Sequence, residues 1–201
     1  VVVLEKGKDY KTKHVTSNGD QIIYKTKNRS SVELVYNYLT IPRGGEYSIK
    51  LQDGTQVWLN SESQLKYPVS FTEGETRQVE LVYGEAYFDV SPSTAHKGAK
   101  FVVINNAQVV EVLGTEFNIK AYKDESNIYT TLVEGKVTVS AMNKTKILAP
   151  NEQLILNMSS NNIMVSSSVD VYRVISWKNG VFSFRNKPLK DIMKVLHYAI
   201  M

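Results

Sequence analysis

The sequence predicts a mainly β protein, a β-solenoid or β-sandwich of short strands, followed by a truncated α+β piece made of one strand and one helix. Three observations carry that prediction. From Ser31 to about Asn157, β-branched and aromatic residues alternate with polar ones at period two, the pattern of strands with one buried face. Glycines punctuate those runs, with Gly54, Gly84 and Gly114 thirty residues apart and Gly135 after them. Beyond Pro188 the apolar spacing changes to that of a helix.

Residues 1–34 are polar and rich in Lys, Thr and Asn, with a turn sequence at Ser17-Asn-Gly-Asp20, and they read as one or two amphipathic strands leading into the main domain. Tyr47, Ile49 and Leu51 share a face of the next strand; Asp53-Gly54 then turns the chain into Gln56–Asn60. The same alternation marks Val79–Tyr83, Ala86–Val90, Phe101–Ile104, Val109–Leu113, Glu116–Tyr122, Ile128–Val133, Lys136–Ser140 and Gln153–Asn157. Each glycine is expected to turn one strand into the next. Stacked solenoid turns and a meandering sandwich both fit that spacing.

Residues 35–157 therefore form the main all-β domain. Residues 158–170, with the string SSNNIMVSSS, make a linker or an edge strand. Val181–Phe184 reads as a strand, and Pro188 suits the first turn of a helix that aligns Leu189, Ile192, Met193, Leu196 and Ala199 or Ile200. One strand and one helix cannot bury their apolar faces alone, so residues 171–201 either pack on the β domain or, the favoured expectation, begin a second small domain that is cut short.

Composition narrows the chemistry. With 42% hydrophobic and 22% charged residues in 201, the chain can bury a substantial core without disulfides or metals. Lys and Arg number 24 against 20 acidic residues and are scattered, so no nucleic-acid partner is expected. There is no cysteine, which excludes disulfide frameworks, thiolate nucleophiles and iron–sulfur clusters. His14, His96 and His197 stand in unrelated segments, and the sequence contains no GxSxG, GxxxxGK[ST] or GxGxxG string; no metal, cofactor or catalytic residue is expected.

Glu85 and Asp89 share a strand face with Tyr87 and can be drawn as a glycosidase acid pair, but a solvated strand face accounts for them more simply. Asp53 reads as a turn residue. Trp58 and Trp177 look exposed, and Trp58, Tyr67 or Tyr87 could stack on sugars. The residues alone thus describe an interaction or scaffold module, with a carbohydrate-binding or sensing β module as the alternative.

The strings IPRGGEYSIKLQDGTQVWLNSESQLKYPVSF at 41–71, VELVYGEAYFDV at 79–90, FVV at 101–103, VEVLGTEFNIKAY at 110–122 and TLVEGKVTV at 131–139 resemble the FecR family. Its PRGG, LxDGTxVxLN, YPxxF, GEAYFxV, VLGTxFNV and TLxxGxV signatures occur here in order, over about residues 35–157. ISWKNGVFSFRNKPLKDIMKVL at 175–196 resembles the start of the small domain that follows FecR in Bacteroidetes proteins, a relative of the signalling fold of secretins and TonB-dependent receptors. Family members continue into an RWY-like segment where this chain reads HYAIM.

The resemblance implies the periplasmic sensor portion of an inner-membrane anti-sigma factor. One membrane span and a cytoplasmic domain holding an extracytoplasmic-function sigma factor would lie outside this stretch. The partner implied is the N-terminal signalling domain of an outer-membrane TonB-dependent transducer, contacted without cofactor or enzymatic step. The expected contact is β-addition along Val181, Phe182, Phe184 and Arg185, with Trp177 and Phe184 as apolar anchors.

Overall fold

A computed structural model of the chain describes residues 10–11, 15–17, 21–24, 35–184 and 188–199. In chain order the strands are β1 (Tyr10–Lys11), β2 (Val15–Ser17), β3 (Gln21–Tyr24), β4 (Tyr36–Ile41), β5 (Tyr47–Lys50), β6 (Gln56–Leu59), β7 (Ser63–Pro68), β8 (Arg77–Asp89), β9 (Phe101–Asn105), β10 (Gln108–Val112), β11 (Glu116–Ala121), β12 (Asn127–Glu134), β13 (Val137–Ala141), β14 (Lys144–Leu148), β15 (Gln153–Asn157) and β16 (Asn162–Ser166). Two helices follow, α1 (Val171–Ile175) and α2 (Leu189–Ala199). Arg185, and the turn expected at residues 18–20, lie outside the described residues.

The strands form one sheet curled into two layers. The first layer runs β1-β2-β3-β5-β6-β8-β11-β12-β15-β16, and the second runs β4-β7-β8-β9-β10-β13-β14. Neighbours are antiparallel except for β3 with β5 and β8 with β9. Alternation turns one side of each layer inward: Ile49, Val57, Phe88 and Phe117 meet Leu65, Phe101, Val110 and Val137 across the core, all fully buried. Phe88 and Phe117 stack with ring centroids 5.0 Å apart.

β8 belongs to both layers. Its first half pairs with β7 and β9, and its second half with β6 and β11. The change of layer occurs at a bulge: Leu65 faces Leu81 but Gln64 faces Tyr83, which leaves one extra residue on β8. Gly84 follows at φ +96°, and a Cβ there would lie 2.4 Å from Ser63 Cα. Glycine is required because both the backbone angle and the neighbouring backbone refuse a side chain. The sequence expectation of two strands joined by a turn at Gly84 is therefore corrected to one bent strand.

Gly54 alone of the four regular glycines closes a hairpin, β5 to β6. Gly114 and Gly135 instead carry the chain across from one layer to the other, between β10 and β11 and between β12 and β13. The two crossovers abut, since a Cβ on Gly135 would meet Thr115 Oγ1 at 2.9 Å and Gly114 O at 3.0 Å. The thirty-residue spacing is thus no repeat unit, and the architecture is layered rather than a solenoid.

A buried ion pair ties the corner where β8 begins. Arg77, 1% exposed, donates from Nη1 to Asp53 Oδ2 at 2.7 Å and to Ser91 O at 3.0 Å, and from Nη2 to Ala99 O at 3.0 Å. Asp53 also accepts from Thr55 N and Thr55 Oγ1, and Thr55 Oγ1 in turn accepts from Ser91 N. The guanidinium lies 5.4 Å from the Phe101 ring centroid. Asp53 is a turn residue, as expected, and also the counter-charge of Arg77.

The carboxy-terminal segment lies over the outer side of the first layer. Asp170 caps α1, accepting from Arg173 N, and the chain then passes through a short 3-10 turn at Ser176–Asn179. Val181–Phe184 pairs with no strand among the described residues, which corrects the strand expected there: the left-handed turn at Gly180 (φ +68°) sends it over a sheet face. α2 begins after Pro188 as the helical spacing predicts, with Tyr198 buried and Leu189 and Met193 exposed.

Asp53→Asn should lower unfolding free energy by about 3–5 kcal/mol, because it leaves the Arg77 charge buried and unpaired; urea titration measures this, and a loss below about 1 kcal/mol would show the clamp to be incidental. Gly84→Ala should cost on the order of 3 kcal/mol in the same assay through φ strain and the clash with Ser63.

Candidate functional site

The pairing of β8 with β6 and β11 decides what gathers on the outer side of the first layer. Trp58 stands opposite Tyr87, Tyr87 opposite Asn118, and Glu85 opposite Lys120, so strand alternation places all of these side chains on one face. Tyr129 and Thr131 of β12 and Gln153 of β15 extend that face.

Glu85 is its centre. The residue is 7% exposed; Oε2 accepts from Asn60 Nδ2 at 3.0 Å and Oε1 from Asn118 Nδ2 at 2.9 Å. Burial raises its pKa above the ordinary glutamate value, and the opposing pull of Lys120 and the two amides does not cancel that rise. Burial works against the Lys120 ammonium too, but the Glu85 and Glu125 carboxylates more than offset it and hold its pKa above the ordinary lysine value. Lys120 closes on Glu125 at 2.7 Å.

A second group sits beside it. Tyr87 packs edge-to-face on Trp58 at 5.6 Å between centroids, and its hydroxyl donates to Glu116. Burial and that carboxylate push the Tyr87 phenol pKa upward. Lys178 from the carboxy-terminal segment caps both rings, 3.9 Å from the Tyr87 centroid and 4.7 Å from that of Trp58. Burial, then repulsion from Glu116, raises the Asp89 pKa, while Lys178 lowers it.

The segment is pinned at both ends. Val169 N donates to Asn151 O, and Gly44 N to Tyr198 O at 3.0 Å, with Ser61 Oγ donating to the same carbonyl. The Tyr198 ring stacks on Tyr122 at 4.1 Å, and its hydroxyl donates to Asp124. Gly44 belongs to the PRGG string, so that motif holds the end of α2. Between these pins, Trp177 is 5% exposed and Phe184 half-buried, while Val181 and Phe182 are exposed.

Several expectations change here. Glu85 and Tyr87 do share a face with Asp89, but only Asp89 is solvated: Glu85 and Tyr87 are buried where residues 169–184 and 188–199 lie on the sheet. Trp177 is buried instead of exposed, and Trp58 is half-buried beneath Lys178. Tyr67, considered for sugar stacking, is a core residue at 2% exposure. Asn60, Asn118, Lys120 and Tyr198 were not singled out by the sequence. The period-two placement of Asn118 and Lys120 in β11 was visible, but its meaning needed the β8–β11 register.

Among the described residues no group of three or more His, Cys, Asp or Glu side chains is placed to hold a metal. The family model for FecR protein matches residues 37–138. Two crystal structures of a candidate anti-sigma factor from Parabacteroides distasonis ATCC 8503, at 2.50 and 1.65 Å resolution, are similar to this chain. Each shares 31% identity with a TM-score of 0.74; the matches cover 82% and 81% of this chain and 75% and 74% of theirs. No curated protein matches the chain.

Glu85 gives the site a pH signature. The folded state holds the Glu85 proton more tightly than the unfolded state, so stability falls as pH rises from about 4.5 through the raised folded value. Glu85→Gln removes this dependence: relative to wild type, the variant should gain stability in urea titrations as pH rises above about 4.5. A pH-independent difference between the two would contradict the buried-carboxylate reading.

Proposed function

Because the chain belongs to the FecR protein family, we propose that it is the periplasmic sensor portion of a transmembrane anti-sigma factor, passing a signal from an outer-membrane TonB-dependent transducer to an extracytoplasmic-function sigma factor. The family is one of membrane-associated sigma-factor regulators, not enzymes, and its role implies contact with a sigma factor. The observation that carries the proposal is the family match over 37–138, together with likeness to the anti-sigma factor structures across four-fifths of the chain. No helix among the described residues is long and apolar enough to cross a membrane; the span and the sigma-binding domain belong to other parts of the protein in this reading.

The carboxy-terminal segment is the proposed transducer contact. Val181 and Phe182 are 45% and 36% exposed, and the backbone of 181–184 pairs with no strand among the described residues. A stretch outside the sheet ladder with exposed apolar side chains can accept a strand from a partner. Phe184 and Arg185 extend the contact, and Trp177, buried against the sheet, fixes the stretch from below. Residues 171–201 would on this view open the small signalling-fold domain, with 158–170 as the strand and loop that lead into it.

Calorimetric titration of the chain with the N-terminal signalling domain of the TonB-dependent transducer encoded beside it should give a dissociation constant near or below about 1 μM. Phe182→Asp should weaken it about tenfold, roughly 1.4 kcal/mol, without lowering thermal stability. Absence of wild-type binding would sink the relay, and unchanged binding by the variant would sink this placement of the contact.

A further inference from the structure

Among the described residues the curled sheet has four open ends, β1 and β16 in the first layer and β4 and β14 in the second. An open strand is a template for pairing with another chain, and charge, above all inward-pointing charge, is the usual protection. β14 has it: Lys144 and Lys146 stand opposite Ala141 and Val139, both buried, and so lie on the inner side of their layer. β1 carries Lys11. β4 is uncharged, but its inner Leu39 and Ile41 are buried, so its margin is closed. β16 has neither protection.

No charged residue stands between Glu152 and Asp170, so β15, β16 and the turn joining them are neutral throughout. Ile163 and Val165 face Leu156 and Leu154, both fully buried, which places them on the inner side. Yet Val165 is 41% exposed and Ile163 only partly buried: the apolar core runs out uncovered at this edge. On the outer side Met164 is 59% exposed. The polarity of the strand is symmetric, with Asn162 and Ser166 flanking Ile163 and Val165, which flank Met164. An antiparallel copy centred on Met164 sets Ile163 against Val165 of the second copy, Met164 against Met164 and Asn162 against Ser166. Apolar meets apolar and polar meets polar, each pair on one face.

We propose that the chain self-associates through β16, two copies joining their first layers into one sheet about a two-fold axis at Met164. The symmetric polarity selects a second copy over an unrelated strand, since in a two-fold pair one sequence must satisfy both sides. Charge permits the pairing: each chain is formally +4, but the joint brings no two charges together. Each copy has one such edge, so association closes at two. A single strand pair buries less than the roughly 1,200 Å² of a stable interface, so the dimer is weak, with a dissociation constant on the order of 100 μM. The proposal is independent of the transducer relay, whose contact lies at 181–184.

Sedimentation equilibrium of the 201-residue chain from about 10 μM to about 1 mM, a range that brackets that constant, should show the mean mass rising from 22.7 kDa toward twice that value. Met164→Lys sets like charges face to face at the axis and should hold the chain monomeric across the range, at unchanged thermal stability because Met164 is exposed. Met193→Lys, the same charge on the exposed side of α2, should leave association as it is. Met164→Glu should also be monomeric alone, and mixing it with Met164→Lys should restore the dimer, because position 164 meets itself across the axis. A wild-type chain that stays monomeric throughout would give the edge to a strand of another protein, or to none, and would overturn the proposal. So would a dimer that survives Met164→Lys, or two charged variants that fail to pair when mixed.

Discussion

The guanidinium of Arg77 is sealed where four stretches of chain meet: the Asp53 turn, the start of β8, the Ser91 loop and the run into β9. A charge so placed is tolerable because Asp53 and two carbonyls take up Nη1 and Nη2, although Nε finds no partner among the described residues, and removing Asp53 leaves a buried ion rather than a vacant space. The clamp therefore sets the entry angle of β8. Where β8 enters determines where it bends, and where it bends determines which residues line each layer. The Gly84 bulge is the second half of the same device, since Ser63 Oγ accepts from Glu85 N at 2.8 Å and holds the strand at the point of its turn.

A consequence of that bend is the polar floor under the carboxy-terminal segment. Inward-pointing residues of β8 and β11 are the apolar Phe88, Phe117 and Ile119; outward-pointing ones are Glu85, Tyr87, Asn118 and Lys120, which would be an ordinary wet face if nothing lay on it. Residues 169–184 and 188–199 make most of it an interior. The interior is held by directional contacts, two amides on one carboxylate and one ammonium between two acids, and by aromatic rings that accept Lys178 from above, while Asn118 Oδ1 and Trp177 Nε1 find no partner among the described residues. An interface built this way depends on directional bonds as well as on the apolar packing of the buried Trp177.

Most strands were legible because one face of each is buried: Tyr47–Leu51 and Gln153–Asn157 follow strict alternation and lie within a residue of where it placed them. β14 escaped because Lys144–Ile147 is exposed on both faces of an edge strand, so there is no alternation to read. β4 and β7 escaped among mixed tyrosines and prolines, and the Gly84 turn was misjudged because a bulge and a hairpin ask the same thing of glycine. The Arg77–Asp53 pair and the Glu85–Asn118–Lys120 group were invisible for a different reason. Their partners are 24, 33 and 35 residues apart in sequence and meet only through sheet register, which local pattern does not contain. α2 was legible from its own periodicity, but its docking on the PRGG loop was not.

The sharing of β8 between layers also bears on how the molecule can open. Two sheets joined by loops can part, each keeping its own ladder, but here the central strand of one layer continues covalently into the other, so a fluctuation that frees one layer must unzip the strand that nucleates both. The body then exchanges its amides as one cooperative block. The carboxy-terminal segment stands outside that ladder, joined to it among the described residues by one backbone bond at Val169 and one at Tyr198, and so has an opening free energy of its own. Lift-off of the cover and melting of the body are separable events, and the first exposes the Glu85 face while the rest of the protein remains native.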